Sequence, residues 1–239
     1  MPCFNEADGL EETLEALIGF LSASGLRFGI VVQDDCSTDA SHQLLSQIAL
    51  RHSQPILIEQ NQRNLGHGQT SIRAYSRSLE VGSRWVLFLD SDGQFELEDL
   101  RYMVAEATQS RPDVVLGVRQ FRVDPWYRRF ASRTLRIVLR LRFGIIAEDA
   151  NSPIRLYSAA VLKELLPTVR VQTIIPNIWL TVVAQKARLC VSQVPIRHRR
   201  RAGFGATGTM WRNSSPTLLG PIRRFVRFST RAAAELLQQ

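Results

Sequence analysis

Short, almost wholly apolar runs separated by longer helical stretches restrict this chain to very few folds. Residues 28–33, 55–58, 85–89 and 113–117 lack the polar alternation of a sheet with one wet face. Between them, residues 41–51, 68–79 and 97–108 carry apolar side chains at helix spacing, as do Leu10, Leu14, Leu17, Ile18 and Leu21 ahead of the first run. Strands buried on both faces and joined by helices predict an α/β domain with a mostly parallel sheet, helices covering both sides. Right-handed crossovers then bring the strand C-terminal ends to one edge, where such sheets bind ligands. The polar clusters fall there: Asp34-Asp35 after one run, Asp90-Ser91-Asp92 after another, Arg119 after a third.

Beyond residue 121 the text changes. An Arg-rich helical stretch (127–143) leads into a loop (147–153), helices over 158–166 and 178–186, and a strand over 187–196. A basic run, Arg197 to Arg201, and a Gly-rich stretch follow. No repeat or linker separates these parts, so one domain is expected over 1–215, with a separate helix over 216–239. Cys3, Cys36 and Cys190 are an odd, widely spaced set, which argues against a disulfide framework or a zinc site and for a reducing compartment. No secretory leader is expected, because Asn5, Glu6 and Asp8 interrupt the N-terminal residues. No run approaches the ~20 apolar residues that span a bilayer.

Net charge is +8, and all basic residues but Lys163 and Lys186 are arginines. That balance points to anionic partners. A nucleic-acid partner is not expected, since aromatic residues are not interleaved with the basic runs as stacking platforms require. Asp90, Asp92 and Gln94 alternate along an extended segment and so point the same way. Their oxygens suit Mg2+ or Mn2+, hard cations that bridge to substrate phosphates. Asp34-Asp35-Cys-Ser-Thr-Asp39 reads either as a helix cap or as carboxylates for a ribose or base. Asn64-Leu-Gly-His-Gly68 reads as a plain turn or as a loop that lets a nucleotide approach the backbone.

In order and spacing these motifs resemble the family 2 glycosyltransferases of the GT-A fold. Pro2-Cys-Phe-Asn-Glu6 is similar to the family's P-x-Y-N-E, residues 34–39 to D-D-x-S-x-D, residues 64–68 to N-x-G-x-G, and Asp90-Ser-Asp-Gly-Gln94 to D-x-D-x-Q. Gly117-Val-Arg119, with Arg129 and Arg133, resembles the G-x-R and later arginines of dolichol-phosphate mannose synthase and bacterial polyprenyl-phosphate sugar transferases. Asp149-Ala-Asn-Ser-Pro-Ile-Arg155 resembles their D-x-x-S-G-F-R, and Val194-Pro-Ile196 with His198, Arg200 or Arg201 and Gly203 their V-P-I…R-x-x-G.

The resemblance implies an inverting, metal-dependent transferase with a nucleotide-diphospho-sugar donor and a polyprenyl-phosphate acceptor, or else a saccharide or other hydroxyl acceptor, or a truncated, inactive homologue that only binds nucleotide. Pro2, Asn5, Glu6, Asp34, Asp35, Gly66 and Asp90 would line the donor site, with Asp34 and Asp35 on base and ribose. Asp90, Asp92 and Gln94 would hold Mg2+ or Mn2+. Arg119, Arg133 and Arg200 or Arg201 would grip phosphates. Asp149 would act as base toward a hydroxyl acceptor, or merely orient a loop arginine if the acceptor is already an anion.

The resemblance also marks departures. The family's opening strand has no counterpart before Pro2, so unpaired edges and a start upstream of Met1 are expected. Asn177 stands about where an acidic residue is usual, and Pro153 replaces a Gly. On a helical wheel Leu218, Ile222, Phe225, Val226, Ser229, Ala233 and Leu236 form one arc and Arg223, Arg224, Arg227 and Arg231 the opposite one. Alone, that pattern suits equally a helix docked on its own domain with its arginines facing water and one lying in a lipid interface; echoed by Arg133, Leu135, Arg136, Ile137, Arg140 and Leu141, it predicts contact with an anionic membrane surface, peripherally on the cytoplasmic face of the plasma membrane.

Overall fold

A computed structural model describes residues 1–120, 126–197, 227 and 230–236; the side chains of 126–131 are outside that description. The strands are β1 (Pro2–Cys3), β2 (Ile30–Asp34), β3 (Ile56–Gln60), β4 (Trp85–Phe88), β5 (Val114–Gln120), β6 (Arg155–Ser158) and β7 (Val191–Arg197). The helices are α1 (Ala7–Ala23), α2 (Ser41–Arg51), α3 (His67–Glu80), α4 (Leu97–Gln109), α5 (Trp126–Phe143), α6 (Ala159–Leu165) and α7 (Pro176–Lys186). The strands hydrogen-bond in two groups, β1-β2-β3 and β4-β6-β5-β7.

Both faces are covered, as continuous apolar strands require. On one face Leu10, Leu14 and Leu17 of α1, Leu45 and Ile48 of α2, and Leu100 and Met103 of α4 pack with Val32, Val115 and Leu156. On the other, Ile72 and Tyr75 of α3, Leu139 of α5, Leu162 of α6 and Trp179 of α7 pack with Val114, Leu116 and Tyr157. Neighbours Val114 and Val115, or Leu156 and Tyr157, thus enter opposite cores, the period-two alternation of a strand.

Three expectations change here. First, β6 has no counterpart in the sequence reading. It lies between β4 and β5 and runs antiparallel to both, with Phe88 opposite Arg155 and Val114 opposite Tyr157. An inverted strand delivers its N-terminal loop, residues 149–154, to the edge where the parallel strands deliver their C-terminal ends. Second, the edge of β2 is not left unpaired: Pro2 and Cys3 pair with Gln33 and Asp34, and Met1 N donates to Val31 O at 2.8 Å. Third, the described part of the tail, residues 230–236, docks on the protein. Ala232 and Leu236 are buried in the α3–α7 core, while Arg227, Arg231 and Ala233 are exposed. Glu235 accepts hydrogen bonds from Trp179 Nε1 at 2.6 Å, Ile174 N at 3.2 Å and Thr173 Oγ1. The rest of the predicted tail arc, Leu218 to Val226 and Ser229, is outside the described residues. Among the described residues no helix is long and apolar enough to cross a membrane.

Cys3 reports on the tightness of the β1 contact. Burial, with Asp34 and Glu6 nearby, pushes its thiol up to about 12. A thiol that stays protonated is a poor nucleophile, whereas Cys190 is exposed. Ellman's reagent at pH 8 should therefore modify Cys190 in the native protein and Cys3 only after denaturant is added. Equal rates for the two would contradict the packing of β1.

Candidate active site

The loop after β2 is tied down by its own carboxylates. Asp34 is fully buried; its Oδ1 receives Ser37 N at 3.1 Å and Ser37 Oγ at 2.5 Å, and its Oδ2 receives Gln60 Nε2 at 2.8 Å, with His42 Nδ1 at 3.2 Å. Asp35 reaches across to the loop after β3. Its Oδ1 accepts from Asn61 Nδ2 at 2.8 Å and Leu65 N at 2.7 Å, and its Oδ2 from Gly66 N at 2.9 Å. Gly66 has φ of 84, a left-handed value that costs glycine nothing. The same loop positions Gly68 so close to the chain that a Cβ there would sit 2.1 Å from Thr173 O. The N-terminal motif joins this frame: Asn5 N and Glu6 N donate to Ser37 Oγ and Ser41 Oγ at 3.0 and 2.8 Å, and Thr38 N donates to Asn5 Oδ1 at 2.8 Å. Pro2 is buried in β1.

Across from this frame, Asp90, Asp92, Gln94 and Arg119 line one small cavity of about 50 Å³ together with Phe95, Pro153 and Ile154. Asp92 Oδ1 accepts from Gln94 N at 3.1 Å. Asp90 Oδ1 is buried and, among the described residues, has no hydrogen-bond partner; His67 Nε2 is 3.9 Å away. An orphaned buried carboxylate oxygen calls for a positive partner. The side chains present fit a hard divalent cation. Among the described residues no group of three or more His, Cys, Asp or Glu side chains could hold a metal, so such a cation would take its remaining ligands from water and substrate oxygens.

Arg119, at the end of β5, forms a bidentate pair with Asp149: Nε to Oδ2 at 2.7 Å and Nη2 to Oδ1 at 3.0 Å, with Nη2 also donating to Asn151 O at 3.1 Å. Both side chains are mostly buried, at 12% and 9% exposure. Their planar fork geometry fixes the guanidinium's direction as well as its position. The structure thus brings together Asp90, Asp92, Gln94, Arg119 and Asp149 on one edge of the sheet. Arg133 is exposed on α5 and is not among the cavity's lining residues. Arg197, first of the basic run, is held by Asp99 through N at 2.6 Å and Nη2 at 3.1 Å. Arg200, Arg201, His198, Gly203 and the side chain of Arg129 are outside the described residues.

Sequence reasoning quoted Arg155 inside a motif but gave it no role. It is fully buried and reaches the loop 149–153 and α7. Asn177, where an acid was expected, accepts Tyr75 Oη at 2.8 Å, and burial raises that tyrosine's pKa.

Comparisons with known proteins agree with this geometry. A family model described as "Glycosyl transferase family 2" matches residues 1–166. The undecaprenyl-phosphate 4-deoxy-4-formamido-L-arabinose transferase of Edwardsiella ictaluri is 29% identical over 201 residues, 84% of this chain and 59% of that protein. The same-named enzyme of an Enterobacter is 28% identical with the same coverage, so this chain spans 59% of the length of these relatives. A glucosyl-3-phosphoglycerate synthase from Mycobacterium tuberculosis, solved with Mn2+ and uridine-diphosphate-glucose, superposes with TM-score 0.63 at 20% identity over 99% of this chain and 76% of that one. A mannosyltransferase from Pyrobaculum calidifontis, solved with GDP-Man and Mn2+, gives TM-score 0.59 at 16% identity over 83% and 55%. The structural likenesses establish the fold.

If Asp35 holds the 64–68 loop, Asp35→Asn places an amide donor among three donors. The loss should be about 3 kcal/mol of unfolding free energy, as for hydrogen bonds to a charged group, measured by urea denaturation. A change below about 0.5 kcal/mol, the range of ordinary surface substitutions, would contradict that role.

Proposed function

This chain belongs to glycosyl transferase family 2, and from that premise we propose that it moves a sugar from a nucleotide-diphospho-sugar to a polyprenyl phosphate, with inversion at the anomeric carbon. The observation that carries the reading is that Asp90, Asp92, Gln94 and Arg119 line the same cavity. Oxygen ligands beside a held guanidinium suit the meeting of a metal-bound diphosphate with a second phosphate. The similarity to transferases named for undecaprenyl phosphate supports the acceptor class.

In this reading Asp34 and Asp35 shape the base-and-ribose end of the site by fixing its loops, alongside Pro2, Asn5, Glu6 and Gly66. Asp90, Asp92 and Gln94 would hold Mg2+ or Mn2+, which would supply positive charge against that developing on the leaving nucleotide. Arg119, held through Nε and Nη2 by Asp149, turns its positive charge toward the acceptor phosphate, with Arg133 and Arg200 or Arg201 as further phosphate partners. A phosphate oxygen attacks the anomeric carbon, the bond from that carbon to the diphosphate breaks, and the nucleoside diphosphate leaves with its electron pair. The nucleophile is already an anion, so positioning replaces base catalysis. Asp149, engaged by Arg119 through both oxygens, orients that arginine.

A lipid acceptor places the enzyme on the cytoplasmic face of a membrane, and α5 is suited to it. Leu139 points into the core, while Ile137 and Leu141 are 58% and 83% exposed and Ile146 beyond the helix 72%. Exposed Arg133, Arg136 and Arg140 flank them. Apolar side chains framed by arginines match an anionic bilayer interface.

Two outcomes test these readings. Asp92→Ala should lower Mn2+-dependent nucleotide release to polyprenyl phosphate by at least about 100-fold, as removal of transition-state charge stabilisation does, at unchanged melting temperature. Full activity with metal still required would sink the assignment. The double change Ile137→Glu, Leu141→Glu should abolish sedimentation with anionic phospholipid vesicles at low salt, and undiminished sedimentation would remove α5 from the membrane.

A further inference from the structure

Arg155 opens β6 and has no exposed surface. Its guanidinium donates from Nε to Ser152 O at 2.9 Å, from Nη1 to Asn177 O and Thr181 Oγ1, each at 2.8 Å, and to Tyr157 Oη at 3.2 Å, and from Nη2 to Ala150 O. None of these acceptors is a carboxylate. A buried cation met only by neutral oxygens is costly, and an apolar side chain would fill the same volume more cheaply. What an apolar side chain lacks is donors. Ala150 O and Ser152 O belong to an irregular turn inside the protein, and buried carbonyls of that kind need partners. Asn177 O and Thr181 Oγ1 are on α7. Only the planar fork of arginine, with five donors, can serve both sets at once; lysine offers a single point of charge.

The turn that Arg155 fastens to α7 is the one that carries the site. It begins with Asp149, which receives Arg119 Nε and Nη2, and contains Asn151, whose carbonyl also receives Arg119. It ends with Pro153 and Ile154, which line the cavity with Asp90 and Asp92. We infer that Arg155 is a positioning residue for the acceptor half of the site: by fixing the turn's carbonyls it sets Asp149, and through Asp149 the direction of the Arg119 fork. This rests on Arg119 gripping the acceptor phosphate. Donor binding, framed by Asp35 and Asp92 on other elements, is not routed through this contact.

The test compares Arg155→Lys and Thr181→Val with the full-length wild type. Transfer kinetics use the nucleotide-sugar that the wild type turns over with polyprenyl phosphate, and amide exchange is followed at Ala150, Asn151 and Ser152. Arg155→Lys should lower kcat about 100-fold, the scale of a small misplacement of a catalytic group, with the KM for nucleotide-sugar within about two-fold. Thr181→Val removes one acceptor and should move kcat the same way by about ten-fold; it carries the test if the lysine variant does not fold. Both should speed exchange at the three amides. Unchanged kcat in folded variants overturns the inference. So does a loss of kcat and donor affinity together in step with melting temperature, which marks a merely structural role. A wild type that transfers nothing to lipid phosphate sinks the functional reading instead; exchange then decides, and unaltered protection in Arg155→Lys overturns the positioning role.

Discussion

Asp35 stands where β2 has ended, 3% exposed, and its oxygens receive Asn61 Nδ2, Leu65 N and Gly66 N. Ionised, it is acceptor-only, so the chain folds its donors around it. That one carboxylate joins the ends of two neighbouring strands and fixes the loop from which α3 springs. Asn61 extends the frame to Thr70 at 3.0 Å, Gln33 at 3.0 Å and Arg73 at 3.1 Å. His67, at the start of α3, then lies beside Asp90. This half of the site is thus a rigid polar frame anchored to the sheet, which keeps its carboxylates within a narrow geometry before any ligand arrives.

The half that carries Arg119 is built differently. Arg119 is on β5, but its direction depends on Asp149, and Asp149 belongs to a turn with no regular structure. Arg155 and α7 supply the stiffness that the turn lacks. This half exists only because β6 is inverted: an antiparallel strand between β4 and β5 brings its preceding loop to the edge that carries Asp90 and Arg119. Ile137 and Leu141, exposed on α5, lie between Arg119 and Asp149 in the chain.

Much of this was legible in the sequence. Continuous apolar runs gave the two-faced sheet, and the polar clusters after them gave the site edge, because a parallel sheet collects its strand ends on one side. What escaped notice had physical causes. β6 is four residues long and opens with an arginine, so no pattern of apolar residues announces it. Pro2 and Cys3 pair with β2 over 2 residues, a stretch that no apolar run in the sequence announces. The wheel of the tail showed an apolar arc without showing what covers it. Glu235, the only acidic residue after Glu164, was the available signal, since a lone carboxylate in a basic helix has to meet donors somewhere, here Trp179 and Thr173. Whether Asp149 is a base or an orienting group could not be read from its motif; that depends on Arg119, thirty residues away in the chain.

The central claim is that this site positions an acceptor that is already anionic and does not generate a nucleophile. Single-turnover transfer from the working nucleotide-sugar, with Mn2+ present, to a polyprenyl phosphate and to the same polyprenol without its phosphate measures this directly. The account predicts transfer to the phosphate and none to the alcohol. Comparable transfer to the alcohol would contradict it, because Asp149 would then have to leave Arg119 and act as a base.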